Sequence, residues 1–289
     1  MHFEYLKPES MDEALALLEQ HADEAKVIAG GTDLMLQIRN RTSQPKYVID
    51  ISAIPGLTSI SQDNAGGLSI GPLVTMADLE SSPLVNQKFT VLAQAAAHLG
   101  SVAIRNVATV GGNLCNALPS AETAQALLAL GAKVRITGPG HTERLLDLEQ
   151  FFTGAGRTVL KPQELLTEIL VPAPTANTRS IYFKHVPRGS IDLAIVNLAV
   201  VAAIDPQTHV CKNIRIAMGA VGTTPVRALE AEKLLIGNAI DDTIIEKAAG
   251  AAYAEANPRP GSIRGSVKYK KAMIRVLLTR ALKALVAAA

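Results

Sequence analysis

The chain has 289 residues, 48% of them hydrophobic and 3% aromatic, with a formal net charge of +2 and no Trp. That size and apolar content suit a folded protein with more than one core and exclude a disordered chain. A near-neutral charge without basic blocks excludes a nucleic-acid surface, and two cysteines, Cys115 and Cys211, are too few for a disulfide framework, a structural zinc site or an iron–sulfur cluster.

The opening residues lack the basic and apolar regions of a signal peptide, and no apolar run reaches ~18 residues, so neither export nor a membrane span is predicted. Reduced thiols then predict a cytoplasmic location. Ser10 and Glu13 have the spacing of a capping box before a helix with Ala14, Leu15, Leu17 and Leu18 on its apolar face. A strand over 26–29 runs into Ala29-Gly30-Gly31-Thr32-Asp33. Thr32 or Asp33 is placed to cap a helix carrying Leu34, Leu36 and Ile38, and a second strand covers 47–50. Asp63-Asn64-Ala65-Gly66-Gly67 reads as a plain hairpin turn before a strand over 68–70. An alanine-rich helix over 91–99 ends near Gly100.

Ile104-Arg105-Asn106 leads into a second glycine turn, Thr109-Val110-Gly111-Gly112-Asn113. Arg105 and Asn106 are suited to brace that turn or to touch its ligand. Pro119-Ser120-Ala121-Glu122 opens a helix with Ser120 at the N-cap, Leu127, Leu128 and Leu130 on the apolar face, and Gly131 at the C-terminal end. Strands follow over 134–136 and 168–171. The Pro-rich stretch 172–177 marks a domain boundary. Beyond it, buried strands over 191–204 and 213–218 precede three helices over 229–235, 244–256 and 268 to the C-terminus. Strands followed by helices make this a second α+β domain. Arg188 and Asp192 have the spacing of an ion pair.

Paired glycines let the backbone bend and approach a ligand closely. Main-chain N–H groups at such a turn can hold an anion such as a pyrophosphate. Two such turns therefore suggest two loops gripping one phosphate-bearing cofactor. Neither matches the P-loop or the dinucleotide fingerprint.

These residues resemble the FAD-binding medium subunit of the molybdenum hydroxylases, the family of xanthine dehydrogenase and aerobic carbon monoxide dehydrogenase. The resemblance spans the whole chain. Its carriers are 29–34, 104–113, Pro119 to Glu122, Glu164-Leu165-Leu166 with Val171-Pro172, and Tyr182-Phe183-Lys184. It implies an α+β protein, a two-subdomain FAD-binding fold of the vanillyl-alcohol-oxidase (PCMH) type over 1–174 (subdomains about 1–55 and 56–174). A C-terminal carbon monoxide dehydrogenase flavoprotein-like domain over 178–289 follows. By resemblance, Val27, Ile28, Ala29, Gly30, Gly31, Thr32, Asp33 and Leu34 wrap the FAD pyrophosphate. Thr109, Gly111, Gly112 and Asn113 form the second cradle. Glu122, where the family more often has Asp, lies near the adenosine end. Leu166 packs on the cofactor, and Lys184 lies close to the isoalloxazine ring. Leu99 matches a position that is aromatic in some relatives.

The resemblance also implies the work done. No catalytic dyad and no metal site is expected in this chain. A large partner subunit would hold the molybdenum cofactor and a small one two 2Fe–2S clusters, in a dimer of heterotrimers. Electrons would pass by FAD to NAD or another acceptor. Two other readings stand beside it: a stand-alone flavin oxidase of the same fold, and a cofactor-free assembly or scaffold protein.

Overall fold

The computed structural model describes residues 2–188 and 191–288. The first ~50 residues build a three-stranded parallel sheet in which Tyr47–Asp50 lies between Glu4–Leu6 and Ala25–Ile28. The helix Met11–His21 covers it, burying Ala14, Leu15 and Leu18. Ser10 caps this helix by accepting from the Glu13 N–H at 3.2 Å. The returning half of the expected box is displaced by one residue, because the Glu13 carboxylate accepts from the Glu9 N–H instead.

A five-stranded antiparallel sheet follows, in the order Ile60–Gln62, Leu68–Ile70, Leu165–Val171, Lys133–Thr137, Glu143–Asp147. The turn at 63–67 joins its first two strands as a plain hairpin, with the Asp63 carboxylate accepting from the Ala65 and Gly67 N–H groups. The last sheet is also antiparallel: Thr178–His185, Val196–Ile204, Cys211–Gly219 and the short Val226–Arg227. Three helices, Leu229–Leu235, Asp242–Glu255 and Val267–Ala287, close the chain and pack on this sheet. The strand expected over 191–204 starts only at Val196, and Ile191 and Leu193 are exposed.

The helix Glu122–Leu130 is the hinge of the arrangement. Every residue from Glu122 to Ala129 is buried. A one-sided apolar face was the expectation, but the helix is enclosed between the middle core and the C-terminal sheet. Gly131 ends it in the left-handed conformation (φ 75°). Ser120 is not its cap. The N-cap is Ala121 without a side-chain bond, and the Ser120 carbonyl instead accepts from Asn197 on the C-terminal sheet.

Candidate functional site

The strand Ala25–Ile28 leaves the parallel sheet at Ile28, opposite Asp50, and turns through Gly31 (φ 67°) into the helix Leu34–Arg39. Past the strand end the ladder supplies no acceptors. Among the described residues none accepts from the main-chain N–H of Gly30, Gly31, Thr32, Asp33 or Leu34. Successive open amides around a left-handed residue form a nest for an anion. Asp33 is the N-cap residue but makes no capping bond. The residue is exposed overall, but partial desolvation of its carboxyl raises its pKa above the ordinary carboxylate value, against a hydrogen bond with Asn116 that lowers it.

The second glycine turn is built differently. Thr109 caps the helix Val110–Cys115 by accepting from the Gly112 N–H at 3.1 Å. The Val110 N–H donates to Val74 O, Gly111 to Pro72 O and Asn113 to Thr109 O, each at 2.9 Å. The expected cradle of amides at 110–113 is therefore already bonded within the protein. A Cβ at Gly111 would stand 2.5 Å from Pro72 Cβ, so this glycine serves packing against 72–76. What the turn leaves open is the exposed surface of Gly112 and the side-chain amide of the half-buried Asn113, whose Oδ1 accepts from Thr123 at 2.6 Å.

The two turns meet. A Cβ on Gly30 would stand 1.7 Å from the Val107 carbonyl oxygen and 3.1 Å from Ala108 Cα. Gln37 donates to Asn116 at 3.2 Å, fixing the same junction from the other side. Arg105 braces the approach: its guanidinium pairs with Glu80 at 2.7 Å and reaches the Leu99 and Gly100 carbonyls. Val27, Ile28, Ala29, Thr32 and Leu34 are half-buried around the first turn. Met35, Leu36, Ile104 and Val107 leave apolar surface exposed at the rim.

Lys184 is not a solvated surface residue. Its ammonium is 2.9 Å from Glu122, with side chains 2% and 7% exposed, and it also donates to the His98 carbonyl at 2.8 Å. Glu122 and Lys184 thus stand together and cannot mark opposite ends of an extended cofactor. Leu166 lies in the middle core at 4% exposure, paired with Ile136, and has little surface to offer a ligand. Leu99 is likewise a core residue. Burial, then the Glu122 charge, pushes the Tyr182 phenol well above its ordinary pKa, and Asn197 donates to its oxygen. Desolvation alone pushes the thiol of the half-buried Cys115 up to about 12, which keeps it protonated and unreactive. Gln37, Asn116, His98 and Asn197 had no signal in the sequence, because each finds its partner across some 15 to 86 positions.

Residues 1–174 match the model of the FAD binding domain in molybdopterin dehydrogenase, and residues 181–285 that of the CO dehydrogenase flavoprotein C-terminal domain. The chain belongs to this family. It is 34% identical over 282 residues to the carbon monoxide dehydrogenase medium chain of Hydrogenophaga pseudoflava, covering 98% of this chain and 96% of that one. Against the nicotinate dehydrogenase FAD-subunit of Eubacterium barkeri the identity is 31%, covering 94% and 92%. The solved carbon monoxide dehydrogenase from Hydrogenophaga pseudoflava superposes with a TM-score of 0.94 at 35% identity, covering 99% of this chain and 98% of that chain. The α+β fold, FAD as the cofactor and the role of an oxidoreductase subunit follow from this membership. The first turn fits that cofactor, since it combines open amides with a backbone approach too close for any Cβ. No described helix is long and apolar enough to cross a membrane, and no described cluster of His, Cys, Asp or Glu could hold a metal.

Proposed function

We propose that this chain is the electron-relay subunit of a molybdenum hydroxylase complex, working in the cytoplasm beside a large molybdenum-cofactor subunit and a small 2Fe–2S subunit in a dimer of heterotrimers. When bound, FAD supplies exchange between one-electron and two-electron carriers, which links the clusters of the small subunit to NAD or another acceptor. The division into 1–174 and 178–289 belongs to the same reading.

The observation that carries it is the run of open amides at Gly30–Leu34 pressed against the second turn at Val107. In this reading Gly30, Gly31, Thr32, Asp33 and Leu34 hold the diphosphate by their main-chain N–H groups, and Val27, Ile28 and Ala29 shape the floor. Thr109 and Gly111 keep the second turn in register. Gly112 and Asn113 meet the cofactor from that side. Glu122 and Lys184, as a neutral buried pair, fix the C-terminal domain over the site, and Leu166 supports it from the core.

The test is purification of the full chain with and without its two partners. Visible flavin absorbance at one FAD per chain, lost in Gly30→Ala, supports the reading. A chain that oxidises substrates alone, with no partner, would instead be a stand-alone oxidase.

A further inference from the structure

Thr123 is the second residue of the helix Glu122–Leu130 and is fully buried. Its hydroxyl donates to Asn113 Oδ1 at 2.6 Å and has no other hydrogen-bond partner among the described residues. A buried hydroxyl must place its proton on an acceptor, because an unmet donor is the costly case. A helical threonine ordinarily turns to the carbonyls three and four positions back. Here both are engaged. Pro119 O accepts from the Ala220 N–H at 2.6 Å and from Gln125 Nε2 at 3.2 Å, which fills its two lone pairs. Ser120 O accepts from Asn197 Nδ2 at 3.3 Å, and the chain before Glu122 is not helical, because Ala121 has ψ 121°.

The direction of the Asn113 amide follows from this. With Thr123 obliged to donate, the amide oxygen faces Thr123 and the NH2 group faces away from it. A reversed amide would donate to Thr123 and strand the hydroxyl proton inside the protein. Asn113 Nδ2 has no partner among the described residues, and it is not buried: Asn197 Oδ1 is the one buried side-chain polar atom without a partner among them. The Asn113 main chain is fixed as well, by the bond from its N–H to Thr109 O. Since the main-chain amides at 110–113 are all used, this NH2 is the donor that the second turn has left to offer. Asn197 lies on the strand Val196–Ile204 and Ala220 directly follows Cys211–Gly219. The C-terminal sheet, by occupying the carbonyls at 119 and 120, therefore sets the polarity of a side chain on the second turn.

We propose that Thr123 is a positioning residue that holds the Asn113 amide with its NH2 toward the cofactor, so that the second turn donates to an oxygen of FAD. This rests on the place given to Asn113 in the proposed function, and adds the residue that orients it. The two turns then present donors by different means, main-chain N–H groups in the first and one oriented side-chain amide in the second. An amide whose direction is settled before the ligand arrives needs no reordering on binding.

The test is titration of FAD into the flavin-stripped full chain, followed by flavin fluorescence, with melting temperatures taken on the same samples. The variants are Thr123→Val, Thr123→Ser, Asn113→Ala, Asn113→Asp and the double variant of Thr123→Val with Asn113→Ala. Thr123→Val keeps the shape and loses the hydroxyl, and should weaken FAD about tenfold (1.4 kcal/mol). Thr123→Ser restores the hydroxyl and should restore the affinity. The double variant should bind no more weakly than Asn113→Ala alone, because both changes act through one contact. Asn113→Asp should bind more weakly than Asn113→Ala, because Thr123 still donates to the carboxylate and its second oxygen then meets the oxygens of the cofactor. Additive losses in the double variant, or an Asp variant that binds as well as the Ala variant, overturn the proposal. So does a Thr123→Val chain that melts lower but binds FAD like wild type while Asn113→Ala binds weakly, since Thr123 would then serve packing alone; the proposed function would stand. Should Thr123→Val not fold, the Ser and Asp variants carry the decision. A wild-type chain that takes up no FAD would overturn the proposed function, and this proposal with it.

Discussion

The turns at 29–34 and 109–113 share a glycine pair followed by small polar residues, yet their amides are in opposite states. In the first, five consecutive N–H groups have no acceptor among the described residues. In the second, the four from Val110 to Asn113 are all bonded inside the protein. The difference arises from what precedes each turn. The first follows the end of a parallel strand, where the ladder stops. The second is threaded along 72–76, with an isolated antiparallel bridge between Thr75 and Thr109. A glycine pair thus marks close backbone approach in both places but a ligand nest in only one.

The largest effect is expected on the side of the second turn, which the comparison makes structural. Lys184→Met leaves the Glu122 carboxylate buried without its cation and should cost ~3–5 kcal/mol in urea unfolding. Combining it with Glu122→Gln should recover most of that loss. A silent single variant would mean the pair does not hold the domains together. Next, Gly30→Ala forces a Cβ into the Val107 carbonyl, separates the turns and should cost roughly 1–3 kcal/mol together with the bound FAD. Retention of stoichiometric FAD would sink the assignment of the first turn.

Thr109→Ala sharpens the contrast. It removes a helix cap and should lower stability by about 1 kcal/mol while leaving FAD affinity nearly unchanged. A fall in affinity beyond about tenfold, which is 1.4 kcal/mol, would give the second turn the same role as the first. The smallest effect belongs to Asp33→Asn. Because partial desolvation raises the folded-state pKa of Asp33 above 3.8, the folded chain binds more protons there than the unfolded one, and stability declines as pH climbs through that window. The Asn variant should flatten this decline in melting curves taken across it, and an unchanged slope would show that the turn does not desolvate the Asp33 carboxyl.

Much of the fold was legible because it rests on local rules. The first helix, the 63–67 hairpin, the Gly131 terminus and the three C-terminal helices each follow from capping residues, turn residues or apolar periodicity. The site was legible only in part. Motif resemblance located both turns, but not which of them keeps its amides open. Ser120 was misread as a cap because its carbonyl is drawn to Asn197, 77 positions away. Lys184 and Glu122 were assigned to different ends of the cofactor because nothing in their own neighbourhoods reveals a pairing across 62 positions.

The amino-acid sequence by itself determined the places where the backbone must bend and where helices and strands form, since each depends on residue type within a few positions, and the resemblance carried by its motifs implied FAD and the α+β fold. Tertiary structure decided the rest: which glycine turn offers donors, which helix is buried on every side, and which charges neutralise one another. Those depend on hydrogen-bond acceptors and counter-charges contributed by distant segments, and only the folded chain brings them within reach.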